Sequence, residues 1–331
     1  KLAVTDGAPS IIAATDYTVT YKDNTNVGTA TATVTATTNG NYSGTASKTF
    51  IINKENSALT LTPDKASYVY GDSIKITANV QLAKSRAAAN TVEFFLGKTK
   101  IGTENVTPIN AATGTATFTV AGDTKFAIGA NKITAVYGGS DNLNAQTGEC
   151  SVNLTQKALT ATIKAANKVY DGNANATATY TLAGIVGKED VTAAGTAATF
   201  ADKNVGTSKT VTATGIALTG TDAKNYTVNA SATAKADITA KALTADMIAA
   251  IGDQTYTGTV IEPTLTVTDG TPSIIAATDY TVTYKDNINV GSTAMATVTA
   301  TTDGNYSGTA SKNFNINKAD SDVTLTGGTF T

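Results

Sequence analysis

The side chains that carry most enzymatic chemistry are missing or isolated in this sequence. There is no histidine among the 331 residues, so the commonest general base and metal ligand is absent. Any Ser-His-Asp or Cys-His arrangement is absent with it. The one cysteine, Cys150, lies in ECSVNLT, where Cys150, Val152 and Leu154 alternate with Glu149, Ser151 and Asn153. That alternation places its sulfur on the buried face of a strand, and with no second cysteine it forms no intramolecular disulfide. Without a base beside it, an inert core thiol is expected. The closest carboxylate pair, Glu189-Asp190 in GKEDVT, points to opposite faces if extended and suits a turn cap. No phosphate loop, dinucleotide fingerprint or zinc spacing occurs; the Gly-rich VYGGSDN lacks the following Lys-Ser/Thr. The expectation is a chain that is not an enzyme and holds no cofactor and no metal.

Weaker candidates sit at loop tips. SDNLN (140–144), TDAKN (221–225), YKDNTN (21–26) and YKDNIN (284–289) offer clustered oxygen atoms of the kind a hard cation uses. The same residues build turns unaided, and the spacing is not that of an EF-hand. Asp141, Asn142, Asp222 and Asn225 are therefore carried forward as candidate ligand contacts rather than as a metal site. Glycan-binding surfaces recruit exposed aromatics, and tryptophan is absent. Tyr42 and Tyr306, inside two GNYSGT turns, are the aromatic candidates, with packing beneath the turn as the competing reading. Tyr17, Tyr21 and their copies alternate like core positions. A Tyr-Gly signature recurs as VYGD (Tyr70, Gly71, Asp72), VYDG (Tyr170, Asp171, Gly172) and TYTG (Tyr256, Gly258). It reads as a tyrosine anchoring a strand beside a turn. Lys54, Lys157, Lys241 and Lys318 recur at segment ends, where they are expected to face solvent. Lysines in such sandwiches sometimes form isopeptide bonds to Asn or Asp, a chemistry the sequence leaves open. Asn41, Asn105 and Asn225 stand in Asn-x-Ser/Thr triplets, which arise readily in so Asn- and Thr-rich a chain.

The elements that hold these residues follow from a repeat. DYTVTYKDNTNVGT (16–29) returns as DYTVTYKDNINVGS (279–292). Val4 matches Val267, Asp6 matches Asp269 and Tyr17 matches Tyr280. Between Val4 and Lys22 only Ala8 differs, standing against Thr271. One residue is inserted after Gly28, so Tyr42 matches Tyr306 and Phe50 matches Phe314. Similar strings mark the ends of segments: IINKENSALT (51–60), LTQKALT (154–160), ITAKALT (238–244) and INKADSDVT (316–324). They divide the chain into a shortened module A (1–54), module B (55–156), module C (157–240), a complete module A (241–317) and the start of a further module B (318–331), where SDVTLTGG is similar to SALTLTPD. Catalysis rarely duplicates a surface loop, whereas an array of stacked modules does. The linkers are a few residues without Pro or a Gly/Ser tract, so a fairly stiff rod is expected. Residues 1–54 lack a counterpart of 241–263 and are expected to expose an unpaired sheet edge.

Strand periodicity runs throughout. Tyr280, Val282 and Tyr284 alternate with threonines, as do Ala296, Val298 and Ala300. In module B the alternating sets are Val92, Phe94 and Leu96, then Ala116, Phe118 and Val120, then Ile133, Ala135 and Tyr137. Period-2 patterns broken every 8–12 residues by Gly, Asn and Asp predict antiparallel sandwiches with one wet face, an all-β immunoglobulin-like array. IIAATD is expected to form one short helical turn. Module C parallels A: FADKNVGTSKTVTAT (200–214) follows YKDNTNVGTATATVTAT (21–37), and NYTVN (225–229) stands where NYSGT does.

Charge narrows the partners. With a formal net charge of −2 there is no basic surplus for nucleic acid or anionic lipid. The longest apolar runs are a few residues, such as Ile11 to Ala14, far short of the roughly 20 that span a bilayer. The chain opens mid-repeat without a visible leader or anchor, and is expected to be an internal piece of something longer. Cysteine poverty without disulfides fits a bacterial surface.

Module B, through YGDSIKITANV, VEFFLGKTKIGT and ITAVYGGSDNLNA, resembles the bacterial immunoglobulin-like repeats of large surface proteins. Module C, through KVYDGNANATATYTLAGIVGKEDV and NYTVNASATAKADITAKALT, resembles the YDG module of bacterial adhesins. Module A, through DYTVTY, NVGTA and GNYSGT, is similar to immunoglobulin-like or mucin-binding-type modules. These resemblances imply an exported, extracellular protein at the bacterial cell surface or wall, with neighbouring modules of the same chain as its first partners. Three roles follow: a non-enzymatic stalk or spacer, an adhesin binding mucin, glycan or a host or surface glycoprotein in many weak copies, and a self-associating fibre or surface layer.

Overall fold

The computed structural model describes residues 2–7, 12–81, 90–110, 112–123, 125–270, 275–321 and 327. Among them there is no α-helix, only strands and three short 3-10 turns: Ala223–Asn225, Ala245–Met247 and Ala277–Asp279. The last is the turn expected from IIAATD. The chain forms two compact units, Lys1–Lys157 with Lys224–Tyr226, and Ala158–Ala223 with Thr227–Thr331. The start of a further module at 318–331 lies largely outside the described residues, as do the Ala8 and Thr271 pair and Ile11.

In the first unit, residues 55–156 make two facing sheets. One runs Ala58–Pro63, Ser73–Gln81, Thr113–Ala121, Thr107–Asn110. The other runs Tyr68–Val69, Gln146–Thr155, Gly129–Tyr137, Thr91–Leu96, Thr99–Asn105. The alternation sorts the side chains as the period-2 pattern requires. Ile74, Ile76, Ala78 and Val80 face Val92, Phe94, Ile133, Ala135 and Tyr137 in a closed core. Phe94 and Phe118 stack at its centre, 4.8 Å between ring centroids. Cys150 lies half-buried on the inner side of Gln146–Thr155, and desolvation pushes its thiol pKa up.

Residues 157–240 pack a sheet ordered Ala178–Ala183, Lys157–Ala165, Tyr226–Val228 against one ordered Lys168–Val169, Ser231–Thr239, Gly206–Thr214, Ala197–Phe200. Its small core is Phe200, Val211, Ala236 and Ile238, with Ala161, Ala213 and Ile216 beside it.

Residues 241–317 pair Gln254–Thr255, Thr309–Asn317, Gly291–Ala300 and Tyr280–Lys285 in one sheet, with Lys241–Ala242 and Tyr306–Ser307 in a second. Their principal core is Leu243, Ile248, Val267, Ile275, Val298, Tyr306 and Ala310. Every strand ladder among the described residues stays inside one of these segments.

The shortened copy shows what its missing residues do. Among the described residues of 2–54 the one sheet is Tyr17–Lys22, Gly28–Ala36, Thr45–Ile52. Phe50 is 39% exposed, while its match Phe314 is 3% exposed. Tyr21, which alternates like a core residue, is 51% exposed, while its match Tyr284 is partly buried and donates to the Pro263 carbonyl at 2.6 Å. The reading of Tyr21 as a core position therefore fails in this copy, because the stretch carrying the matches of Ile251, Ile261 and Pro263, which pack with Tyr284, is not among its residues.

Candidate functional site at the module ends

The Tyr-Gly signature has one structural role in all three places. The two residues before each tyrosine pair in parallel with the last strand of the same module: Tyr68–Val69 with Leu154–Thr155, Lys168–Val169 with Ile238–Thr239, Gln254–Thr255 with Ile316–Asn317. The tyrosine amide then closes the ladder. Tyr70, Tyr170 and Tyr256 N–H donate to Thr155, Thr239 and Asn317 carbonyls, each at 2.9 Å. A tight turn must follow, and Gly71, Gly172 and Gly258 supply it with positive φ of 87°, 78° and 84°. Asp72 and Asp171 hold the turn by accepting from the Val69 and Asn173 amides. Each tyrosine ring is thereby fixed at the end of its module where the chain leaves.

A second feature is fixed where the chain enters. In module B, Glu55 N–H donates to the Asn142 carbonyl, Asn144 N–H donates back to the Glu55 carbonyl, and Glu55 bridges Leu143 in parallel. In the complete module A, Lys241 N–H donates to the Asn305 carbonyl, Leu243 N–H to the Ser307 carbonyl, and Lys241–Ala242 pairs with Tyr306–Ser307 in parallel. In module C the strand Tyr226–Val228 lies beside Lys157–Ala165. Asn142-Leu143, Asn225-Tyr226 and Asn305-Tyr306 are thus equivalent pairs, each lying beside the residues by which the chain enters its module.

These pairs meet the preceding module. Inside the first unit, Asn142 Oδ1 accepts from Val27 N–H at 2.8 Å, and Asn142 Nδ2 donates to Asn26 Oδ1 at 3.4 Å. Inside the second unit, Asn305 Oδ1 accepts from Val205 N–H at 3.0 Å, and Asn305 Nδ2 donates to Asn204 Oδ1 at 3.4 Å. The two clamps share their geometry because Asn26-Val27-Gly28 and Asn204-Val205-Gly206 are the same triplet. Lys54 Nζ adds a bond to the Ser140 carbonyl at 2.9 Å. Rings complete the contact: Tyr170 meets Tyr306 edge-on at 5.5 Å and 76°, and Tyr70 meets Tyr226 at 5.5 Å and 79°.

Tyr306 is braced from behind. Its hydroxyl donates to Asp269 Oδ2 at 3.2 Å, and Lys241 Nζ lies 2.5 Å from Asp269 Oδ1. Burial, then the Asp269 carboxylate, pushes the Tyr306 hydroxyl pKa far up.

Several candidate ligand contacts are therefore corrected. Tyr306 is 6% exposed and Asn225 is buried, so neither is open to a ligand; both are packed where modules abut. Asn142 spends its side-chain amide on Val27 and Asn26. Asp222 is engaged locally: its Oδ2 accepts from Asp190 N–H at 3.0 Å while Asp190 Oδ2 accepts from Thr221 N–H at 3.1 Å. Asp190 is a turn clasp, as its sequence context suggested. Asp141 is exposed. Tyr42 is 37% exposed, over a groove lined by Val4, Ile12, Val34 and Ala46. Those residues match Val267, Ile275, Val298 and Ala310, so the groove is the open half of the core that Leu243 and Ile248 close in the complete copy. Of the boundary lysines, Lys54 and Lys318 are exposed, but Lys157 and Lys241 are half-buried, Lys241 by its ion pair with Asp269. Among the described residues no three carboxylate, His or Cys side chains converge as metal ligands, and no helix is long and apolar enough to cross a membrane.

What the sequence left unassigned was the Asn-Val-Gly triplet. Its recurrence at 26–28, 204–206 and 289–291, each time at a fold edge, is the signal that marks the clamp.

Comparison with known proteins agrees with the sandwich reading. Residues 61–155 match the family model of the bacterial Ig-like domain (group 3), and residues 155–234 match that of the YDG domain. A search of curated proteins found no match. Among solved structures, an I-band fragment of titin aligns over 80% of this chain and 99% of its own, at 9% identity and a TM-score of 0.27. The three N-terminal domains of the bacteriophage RB49 highly immunogenic outer capsid protein align over 80% of this chain and 100% of theirs, at 12% identity and a TM-score of 0.23. Superpositions this loose carry nothing about function. What the family matches place is the middle of the chain, which is similar to a bacterial Ig-like domain of group 3 followed directly by a YDG domain.

Proposed function

We propose that this chain is a non-enzymatic repeat segment of an exported bacterial surface protein, acting as a stalk or spacer that holds a distal domain away from the cell. The observation that carries the reading is the repetition of one junction. Val27 with Asn142 and Val205 with Asn305 use the same amide clamp between different pairs of modules. A ligand-binding loop has no reason to be reproduced in that form, whereas a spacer needs each module fixed on the last. Tyr170 on Tyr306 adds a desolvated aromatic contact to the second clamp. With no flexible tract between the modules, bending must break these contacts.

Small-angle scattering of the full chain, and of chains lengthened by one period, tests this. The maximum dimension should grow in proportion to the number of modules, and a compact, collapsed envelope overturns the reading. A multivalent display of the chain, screened against mucins, glycans and matrix proteins, is the second arm. Saturable binding that maps to one module's loops would assign an adhesin instead of a spacer.

A further inference from the structure

The complete module A ends in the same two features that are occupied at the other junctions, and here they are open. Tyr256, the counterpart of Tyr70 and Tyr170, is 39% exposed, whereas Tyr70 is 1% exposed. Asn289-Val290-Gly291 repeats Asn26-Val27-Gly28, with Asn289 and Val290 exposed beside Ile288. Val27 and Val205 N–H each donate to an asparagine of the following module, but Val290 N–H has no acceptor among the described residues. Ile316 pairs with Gln254 on one side and Gly291 on the other, so the Tyr256 ring and the Val290 amide flank the same end of the last strand.

We infer that this face is a docking socket for a second copy of module B, seated through Asn142 and Leu143 of that copy. Module B is the occupant because the first module A, whose triplet differs from this one in no residue, is followed by module B and holds Asn142 on its valine amide. Asn142 and Leu143 are held by the isolated bridge to Glu55, so the pair is presented by the fold of module B and not by its neighbour. In the seated state Asn142 Oδ1 accepts from Val290 N–H. Leu143 covers the Tyr256 ring, in the place that Tyr306 takes on Tyr170.

The test uses the full chain with residues 1–318 followed directly by a second copy of 55–156, compared with the chain as it stands. Hydrogen exchange is read by mass spectrometry on the peptide spanning 286–292, with the peptide around Val205 as the internal standard. In the extended chain, exchange at Val290 should slow by at least about tenfold, the factor that about 1.4 kcal/mol of a closed hydrogen bond corresponds to. N142A in the appended copy alone should restore the fast exchange while that copy's own core amides stay protected. Exchange at Val290 that is unchanged by the appended module, with that module shown folded, overturns the inference. So does slowing that survives N142A. A concentration-dependent dimer of the unextended chain that protects the 286–292 peptide would show that the face pairs with its own copy, and would overturn it as well.

Discussion

The rings of Tyr170 and Tyr306 meet edge to face, 5.5 Å between centroids, although they belong to successive modules. Tyr170 is held by its amide on Thr239, at the exit end of module C. Tyr306 is held by its hydroxyl on Asp269, at the entry end of the complete module A. Each ring is positioned by its own module before the two meet, so the contact is preorganised on both sides and little side-chain entropy is lost in making it.

A double-mutant cycle on this pair measures the junction directly. Tyr170→Ala and Tyr306→Ala should each lower the unfolding free energy of the second unit, and the double variant should lose less than their sum. The expected coupling is about 1 kcal/mol, the range of aromatic pairs beyond their buried area. Chemical denaturation of the four chains gives it, and strictly additive effects would show that the rings are neighbours without being partners.

The same tyrosine sets an alkaline limit. Burial, then Asp269, raises the folded-state pKa of Tyr306 above the ordinary value of about 10. Its contribution is fully present below the unfolded pKa and is lost as pH rises beyond about 10 toward the raised value. The melting temperature of the second unit should therefore fall above pH of about 10, and Tyr306→Phe should flatten that fall. An equal alkaline fall in Tyr306→Phe would assign it to other groups.

How much of this was legible from the sequence differs between fold and site. Threonine alternating with Val, Ile or Phe has only one reading in a strand, so the core of module B and the strand faces followed from period alone. The repeat of Val4–Phe50 at Val267–Phe314 fixed the equivalence of two modules and, with it, the exposed edge at Phe50. The junction was not legible. Asn142, Asn225 and Tyr306 look like ligand contacts because Asn and Tyr at loop tips are polar and local context buries nothing there. Their partners, Val27 and Tyr170, lie far away in the chain, and one of them contributes only a backbone N–H, which no side-chain pattern records.

Acid should weaken module C through two lysine-held carboxylates. The Lys209 hydrogen bond, at 2.6 Å, holds the Asp202 carboxyl below its ordinary range. At Asp171 desolvation is the largest single influence and opposes the shift, but the Lys168 contact at 2.7 Å and the Asn173 hydrogen bonds together outweigh it, and the net direction is again downward. Groups with lowered folded pKa stabilise above the unfolded value, about 3.9 for Asp, and lose that contribution as pH falls through the folded one. Thermal melts should be level from neutral pH to about 5 and decline below about 4. Asp202→Asn should shallow the decline; both carboxylates are solvent-screened, so the change is a modest one.

Module B has a sharper steric test. Gly102 opposes Phe94 across the ladder, and a Cβ added there would stand 2.1 Å from Phe118 Cε2, inside the stacked pair. Gly102→Ala should therefore destabilise module B by about 1–3 kcal/mol, the range for overpacking a filled core. Gly138→Ala, where an added Cβ meets nothing within 4 Å, is the control and should be near neutral. Equal effects at the two sites would show that the Phe94 and Phe118 stack yields without cost.

The open groove under Tyr42 leads to the remaining prediction. Val4, Ile12, Val34 and Ala46 line it, and in the complete copy their matches are covered by Leu243 and Ile248. Residue 263 immediately precedes the match of residue 1, so joining 241–263 ahead of Lys1 restores the whole module in register. The added stretch brings Leu243 and Ile248 into the groove, Gln254 and Thr255 onto the free edge of Thr45–Ile52, and Lys241 beside Asp6, the match of Asp269. Burying Phe50 and covering Tyr42 should each contribute about 1.5–3 kcal/mol. The lengthened chain should bind less of a hydrophobic dye, and the first module should melt at a higher temperature. Leu243→Ala within the added stretch should reverse much of the gain, about 2–5 kcal/mol for a buried leucine. If dye binding and melting stay the same with the segment attached, then the exposure of Phe50 is a property of this copy's own sequence, and the equivalence drawn between the two modules fails.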